Sequence, residues 1–151
     1  MAFWKIFRKK VKSEPRSDAN TKDPMEAAIK ISTFIIDLQL KRAGTLPGFS
    51  EAFYSNFTRG YFVGCFNSAM QAFKIDGHDS DAKLAAFIVI GHLTLLGEEH
   101  GTKFARDSIA LQGNREYDLG NRLGGQELVD FLNKKITMPT QLFNYFKGNR
   151  Q

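Results

Sequence analysis

The sequence predicts an all-α protein: a single compact bundle of about five to six helices with a basic amphipathic N-terminal segment. Apolar residues recur at helical spacing in each segment that is rich in them. Nowhere do apolar and polar residues alternate for long enough to predict a strand. The 151 residues are 42% hydrophobic and include 14 phenylalanines. A chain of this size and composition is long enough to bury one substantial core.

Changes in composition divide the chain into three parts. Residues 1–12 combine aromatic residues with cations, residues 13–22 contain no recurring apolar position and predict a flexible linker, and residues 23–151 contain the helical domain. Asp23 before Pro24 is typical of a helix start, because aspartate caps free backbone N–H groups and proline suits the first helical position. The first helix of the domain is therefore expected to begin here.

The stretch Glu51–Phe73 predicts the central helix of the bundle, with Ser50 as its cap. On a helical wheel its apolar residues cover nearly the whole circumference, which is typical of a helix surrounded by protein. The stretch Asp81–Leu96 has the same character and predicts a second core helix. We expect these two helices to be the most buried and to contact each other directly.

Four residues of the central helix form a candidate ligand pocket: Arg59, Gly60, Gly64 and Asn67. Glycine inside a helix costs about 1 kcal/mol relative to alanine, so two glycines at spacing four indicate a close contact. Either a neighbouring helix packs against this ridge, or a ligand lies against the bare backbone. Arg59 is also the only charge between Ala52 and Phe73. Because a buried unpaired charge is costly, we expect its guanidinium to reach the surface or to pair with an acid.

The second half of the chain predicts shorter helices. Residues 102–112 and 126–135 are amphipathic, and a last short helix is expected to start at Pro139. The glycine-rich residues 113–125 predict a single turn of helix between two breaks, because glycine commonly ends helices.

Residues 1–12 predict a helix that lies in a membrane surface. Aromatic and aliphatic side chains fall on one side of a helical wheel and cations on the other, which is the pattern of interfacial segments. The alternatives are a frayed tail and a segment that folds back onto an apolar groove of the body. The residues that we expect to contact a membrane or a partner are Phe3, Trp4, Lys5, Phe7, Arg8, Lys9 and Lys10.

The net charge of +5 is located in the same segment. Five of the 21 basic residues and none of the 16 acidic ones lie within residues 1–12, so the rest of the chain has equal numbers of both. A neutral body disfavours nucleic acid as a partner, because such a surface needs several clustered cations. The single cysteine excludes an internal disulfide, and no run of 18 apolar residues predicts a membrane span. We expect a cytoplasmic protein, associated with the cytoplasmic face of a membrane if residues 1–12 bind lipid.

The loop from Asp76 to Asp81 offers weak candidate metal ligands: Asp76, His78, Asp79 and Asp81. Carboxylate and imidazole groups at this spacing are able to hold a divalent ion. The pattern of a calcium-binding loop is not met, since no glutamate follows at the required distance. The competing interpretation, which we prefer, is an Asp-Gly turn followed by a helix cap.

The remaining polar residues do not indicate an active site. We expect Cys65 to be a buried, inert thiol. His92, Glu98 or Glu99, and His100 predict a polar corner between helices, because no metal-binding His-Glu-x-x-His spacing occurs. Neither a catalytic triad nor a pair of catalytic carboxylates is recognisable. An enzyme is therefore the less favoured class, and no cofactor is expected.

The sequence favours a non-enzymatic protein-interaction or regulatory adaptor, tethered by its basic aromatic N-terminal segment to a membrane surface or a larger assembly. A partner protein is the expected ligand, and an anionic membrane surface is the second expected contact. The alternative is a helical metal- or small-ligand-binding module that uses the Asp76–Asp81 loop. The sequence does not predict the oligomeric state.

Overall fold

The predicted all-α bundle is confirmed in a computed structural model that describes residues 23–77 and 79–148. These residues form helices and no strand. The seven helices of the described ranges are α1 (Pro24–Ala43), α2 (Phe49–Phe53), α3 (Asn56–Ala72), α4 (Asp81–Leu96), α5 (Glu98–Ile109), α6 (Arg115–Leu132) and α7 (Gln141–Phe146).

Two helices begin where local sequence predicted them. The Asp23 side chain accepts a hydrogen bond of 2.9 Å from the Met25 N–H, and Pro24 is the first residue of α1. Ser80 caps α4 by accepting a hydrogen bond from the Lys83 N–H. The capped turn predicted at the end of the Asp76–Asp81 loop is therefore present.

The predicted central helix is interrupted, which corrects the expectation of one helix from Glu51 to Phe73. It divides into α2 and α3 at Tyr54 and Ser55. Ser55, not Ser50, is the cap: its hydroxyl accepts a hydrogen bond from the Thr58 N–H. Serine competes with helical hydrogen bonding by bonding to nearby backbone, and this ends one helix and starts the next. The break leaves Tyr54 exposed at the surface.

From Arg115 onwards the glycine-rich stretch lies in one continuous helix, so the prediction of a single turn between two breaks over residues 113–125 was wrong. It merges with the predicted helix at 126–135 to give α6. The reason is a close approach of two backbones. A Cβ atom added to Gly120 would lie 2.1 Å from the carbonyl oxygen of Phe57, and one added to Gly124 would lie 2.3 Å from that of Tyr61. These glycines stay helical because packing against α3 outweighs their low helix propensity.

Helix α3 is the centre of the core and packs most extensively against α6, then against α1, α4 and α5. Its predicted contact with α4 is confirmed, since the Phe66 ring lies directly over Gly91. However, α4 is less buried than expected. Val89 and Leu93 are only half-buried, and the most extensive contact of α3 is with α6 and not with α4.

A buried polar cluster joins the two ends of the domain. The Tyr61 hydroxyl donates a hydrogen bond of 2.5 Å to the Glu127 carboxylate and accepts one of 2.9 Å from the Gln39 amide. Glu127 also accepts hydrogen bonds from the backbone N–H groups of Thr140 and Gln141, at the start of α7. Four helices, α1, α3, α6 and α7, are thus connected by groups whose hydrogen bonds compensate for their burial.

Several sequence predictions lie outside the described residues. They include the N-terminal segment with its candidate contact residues, the linker, and His78 in the loop before α4. Among the helices that are described, none is both long and apolar enough to cross a membrane.

Candidate binding cleft

A cleft of about 590 Å³ opens on the surface where α2, α3, α4 and α5 meet. Its volume falls within the range of about 300–1,000 Å³ that is usual for ligand sites. Its apolar lining consists of Phe53, Tyr54, Leu96 and Phe104, and its polar lining of Arg59, Glu99, His100, Lys103 and Asp107.

Arg59 projects from the first turn of α3 into this cleft. One terminal nitrogen, Nη1, donates hydrogen bonds of 3.3 Å to the carbonyl oxygen of Phe104 and to the hydroxyl of Ser108. The guanidinium carbon lies 4.1 Å from the centre of the Phe104 ring, a geometry that gives a favourable cation–π interaction. These contacts hold the side chain in place.

The guanidinium of Arg59 has no acid bonded to it within the described residues. The ion pairs found there join Lys41 to Asp37 and Lys103 to Asp107. Burial lowers the pKa of Arg59, and the nearby Asp107 and Tyr54 oppose that shift, but arginine remains protonated in proteins. We expected Arg59 either to reach the surface or to pair with an acid. It reaches the surface, because its guanidinium lines an open cleft.

Aromatic rings form one wall of the cleft and continue into the core. Tyr54, a residue that is 58% exposed, lies edge-on against Phe53 with ring centroids 5.0 Å apart. Phe53 in turn lies 5.4 Å from Phe104, and Phe104 stacks on the buried Phe62 at 5.5 Å. This wall is anchored because its inner rings are part of the core, whereas its outer ring is accessible to a ligand.

The opposite rim is a charged stripe along α5. Glu99, Lys103 and Asp107 follow one another at spacing four and so lie on one side of the helix. Lys103 Nζ lies 2.9 Å from Asp107 Oδ2, and this hydrogen bond lowers the pKa of Asp107. Two cations and two acids line the cleft when Arg59 is included, so its lining has no net charge.

His92 lies beneath the cleft and does not open onto it. Its side chain is fully buried, and its ring packs against Phe66 and Phe104 at centroid distances of 5.1 and 5.8 Å. His100, by contrast, is exposed and lines the cleft. The two histidines therefore do not converge on a common site with Glu98 or Glu99: His92 packs among aromatic rings and not at the predicted polar corner, whereas Glu99 and His100 line the cleft.

A strip of apolar residues on α4 runs along the surface to the cleft. Its members are exposed or half-buried and recur at helical spacing: Ala82, Ala85, Ala86, Val89, Leu93 and Leu96. Leu96, at one end of the strip, is also part of the cleft lining. The cleft and the α4 strip thus form one continuous surface with an apolar track and an aromatic, charged end.

The candidate pocket predicted on the central helix is not formed as a unit. Gly60 and Gly64 face α6, where an added Cβ atom would lie 2.0 Å from the carbonyl oxygen of Tyr117 or Asn121. Asn67 accepts a hydrogen bond from the exposed Gln71 amide. A neighbouring helix, and not a ligand, packs against Gly60 and Gly64. Of the four residues of the predicted pocket, only Arg59 lines the cleft.

The loop before α4 gives no assembled metal site among the residues that are described. Asp76, Asp79 and Asp81 are all exposed, and no group of three or more side chains able to hold a metal ion is found in the described ranges. His78 lies outside them.

Cys65 is an unsuitable nucleophile in this fold. Its thiol is fully buried and lies 3.4 Å from the carbonyl oxygen of Gly124. Burial raises the pKa of the thiol well above its ordinary value, and the nearby Glu127 carboxylate adds to this effect. The thiolate that reactive cysteines require is therefore strongly disfavoured.

Sequence reasoning singled out three residues of the cleft: Arg59, because an isolated charge in an apolar helix is visible in the sequence, and Glu99 and His100, which it assigned to a polar corner between helices. Phe53 and Tyr54 were assigned to the buried surface of the central helix. Lys103 and Asp107 gave no signal, since an ion pair at spacing four is common on exposed helices. A signal for the cleft was present in Ser55, a strong capping residue that exposes Tyr54 by interrupting the helix.

Comparison of the chain with models of protein families, with curated proteins and with solved structures finds no match. Inferences about function therefore rest on the chemistry of the described surface.

Proposed function

We propose that this chain is a non-enzymatic protein-interaction adaptor that holds an apolar segment of a partner protein in the cleft and along the α4 strip. The observation that carries the proposal is the combination of an aromatic wall, whose outer ring Tyr54 is exposed, with Arg59, a cation that is held in place and retains unused hydrogen-bond donors. Exposed aromatic residues and arginine are the residue types that contribute most to protein interfaces.

The shape of the surface favours a polypeptide over a compact metabolite. The cleft continues into the α4 strip, whose residues from Ala82 to Leu96 cover 14 residue steps of helix, or about 21 Å at 1.5 Å per residue. An amphipathic helix that lays its apolar side on such a track, with an anchoring side chain at one end, is a common mode of peptide recognition. Small molecules, in contrast, are usually enclosed on most sides.

The second part of the proposal is the tether. Residues 1–12 carry five cations and no acid, and each cation contributes about 1 kcal/mol near an anionic leaflet. Together with Phe3, Trp4 and Phe7, these cations would hold the adaptor at the cytoplasmic face of a membrane while the cleft recruits the partner. The support for this part is the sequence pattern of an interfacial segment.

Peptide selection tests the adaptor proposal even though the partner is unidentified. A displayed library of random peptides is selected on the full chain, and the enriched peptides are then titrated by NMR. We expect enrichment of peptides with apolar residues at helical spacing. Their binding should shift the amide signals of Tyr54, Val89 and Lys103.

Two exposed aromatic residues provide matched variants for this experiment. Tyr54→Ala removes the accessible wall of the cleft, whereas Phe34→Ala removes a ring that is 50% exposed and lines a different part of the surface. Binding should weaken about tenfold or more in the first variant and little in the second. Peptides that bind equally well to both variants, or a selection that enriches no peptide, would contradict the proposal.

A further inference from the structure

The unused donors of Arg59 lie along one edge of its guanidinium. Arginine has five N–H donors, and the hydrogen bonds to Phe104 and Ser108 both come from Nη1. Nη2 and Nε make no hydrogen bond within the described residues. The edge that these two nitrogens share presents parallel donors, which is the arrangement that binds the two oxygens of a carboxylate or phosphate simultaneously.

The charges of the cleft discriminate between these two anions. Lys103 is paired with Asp107, so Arg59 is the cation of the lining that has no ion-pair partner within the described residues, and Glu99 is a further carboxylate there. A carboxylate ligand brings one negative charge to this electrically balanced site, whereas a phosphate monoester brings close to two at neutral pH. Arg59 can neutralise the single charge of a carboxylate, whereas a phosphate would keep about one uncompensated negative charge beside Glu99 and Asp107, which repel it.

The aromatic wall determines what must accompany the anion. Phe104 lies beneath the guanidinium, and Tyr54 and Phe53 lie beside it, with the Arg59 guanidinium carbon 6.0 Å from the Tyr54 ring centre. A group bound to Arg59 therefore lies next to aromatic surface. A short apolar side chain next to the carboxylate would cover that surface and reduce the solvent screening of the ion pair.

The geometry points to Arg59 as a carboxylate-recognition residue that binds the acid bidentately through Nη2 and Nε, next to an apolar or aromatic group of the same ligand. This inference rests on the proposed function, in which the carboxylate belongs to a partner polypeptide. Its two sources are an aspartate or glutamate side chain and a free C-terminus.

Small probes test the chemistry directly. The full chain is titrated with 3-phenylpropionate, with 3-phenylpropionamide and with phenyl phosphate, while the Arg59 side-chain Nε–H signal is followed by NMR. We expect 3-phenylpropionate to shift that signal and to bind about tenfold or more tightly than the uncharged amide. Phenyl phosphate should bind more weakly than the carboxylate. Tighter binding of the phosphate, or equal binding of the acid and the amide, would overturn the inference.

Two variants distinguish a bidentate contact with Arg59 from a general effect of positive charge in the cleft. Arg59→Lys keeps the positive charge but loses the planar pair of donors, so it should weaken 3-phenylpropionate binding about tenfold. Lys103→Gln removes the other cation of the cleft and should change binding less than about threefold, since that lysine is occupied by Asp107. The reverse order of effects would assign the carboxylate to Lys103.

Selected peptides distinguish the two sources of the carboxylate. Binding that requires a free C-terminus and is lost on amidation identifies a terminal carboxylate. Binding that survives amidation but is lost on a Glu→Gln or Asp→Asn change identifies a side chain. If peptides bind in the cleft without any acid, the inference falls and the adaptor proposal stands. If 3-phenylpropionate binds but no peptide does, the adaptor proposal falls instead.

Discussion

Burial next to the cleft keeps the ring of His92 in its neutral form. His92 Nδ1 lies 2.8 Å from the carbonyl oxygen of Ile88, so the neutral ring donates its proton there. Nε2 is buried and has no hydrogen-bond partner within the described residues. Burial lowers the pKa of His92 to about 4; the bond to Ile88 opposes this shift, and the charge of Arg59 adds to it.

We therefore predict that His92 makes the stability of the domain depend on pH. In the unfolded chain a histidine has a pKa near 6.5, so between about pH 6.5 and pH 4 the unfolded state binds a proton that the folded state does not. The stabilisation is complete above pH 6.5 and is lost as the pH falls towards 4, by roughly 3 kcal/mol for a shift of this size. Chemical denaturation at pH 7 and at pH 4 measures it.

The comparison that isolates this residue is His92→Gln. Carboxylates titrate in both proteins and cancel in the difference, so the free energy of unfolding of the variant should fall less on acidification than that of the wild type. His100→Gln, at an exposed histidine, should behave like the wild type. If the free energy of unfolding depends on pH in the same way in His92→Gln and in the wild type, burial of this ring does not contribute to that dependence.

At the scale of helices, the pair α3 and α6 depends on glycine on both sides. Gly60 and Gly64 on one helix meet Gly120 and Gly124 on the other, and in each case an added Cβ atom would lie within 2.3 Å of a backbone oxygen. Both helices are held in place from other directions, α3 by the core and α6 by the hydrogen bonds that Glu127 accepts from the Thr140 and Gln141 N–H groups. Overpacking at this contact therefore cannot be relieved by a small rotation of one side chain.

We predict that Gly64→Ala lowers the free energy of unfolding by about 3 kcal/mol, because two backbones must separate to admit the methyl group. The intrinsic preference of alanine for helix, about 1 kcal/mol, offsets only part of this. Gly44→Ala is the control: its nearest neighbours are 3.6 Å from an added Cβ atom, so it should change stability by no more than about 0.5 kcal/mol. Urea denaturation of both variants measures the difference, and equal effects would contradict the packing argument.

For the whole molecule, local signals in the sequence predicted where helices form. They did not predict which distant helices pack against each other. The class of fold, the start of α1 at Asp23 and the extent of α4 followed from helical periodicity and capping. The continuity of α6 did not, since Gly120 and Gly124 indicate helix breaks unless the opposing glycines of α3 pack against them. The cleft was hidden for the same reason: its walls come from segments that only the fold brings together.

The last prediction concerns the independence of residues 1–12 from the domain. Residues 13–22, which join this segment to the domain, contain no recurring apolar position that would anchor it to the core. Deleting residues 1–12 should therefore change the melting temperature by less than about 3 °C, corresponding to less than about 1 kcal/mol in a domain of this size. Differential scanning calorimetry of the full chain and the truncated chain measures this.

The same truncation should abolish binding to vesicles that contain anionic lipid. Trp4 is the only tryptophan, so its fluorescence reports insertion of this segment specifically. Lys9→Glu combined with Lys10→Glu should weaken binding, and so should added salt, which screens the cations. Trp4→Ala should weaken it through lost apolar insertion.

If vesicles do not bind and the deletion costs several kcal/mol, these residues pack on the body instead. The α4 strip, with Val89 and Leu93 half-buried, would then be the surface that receives them.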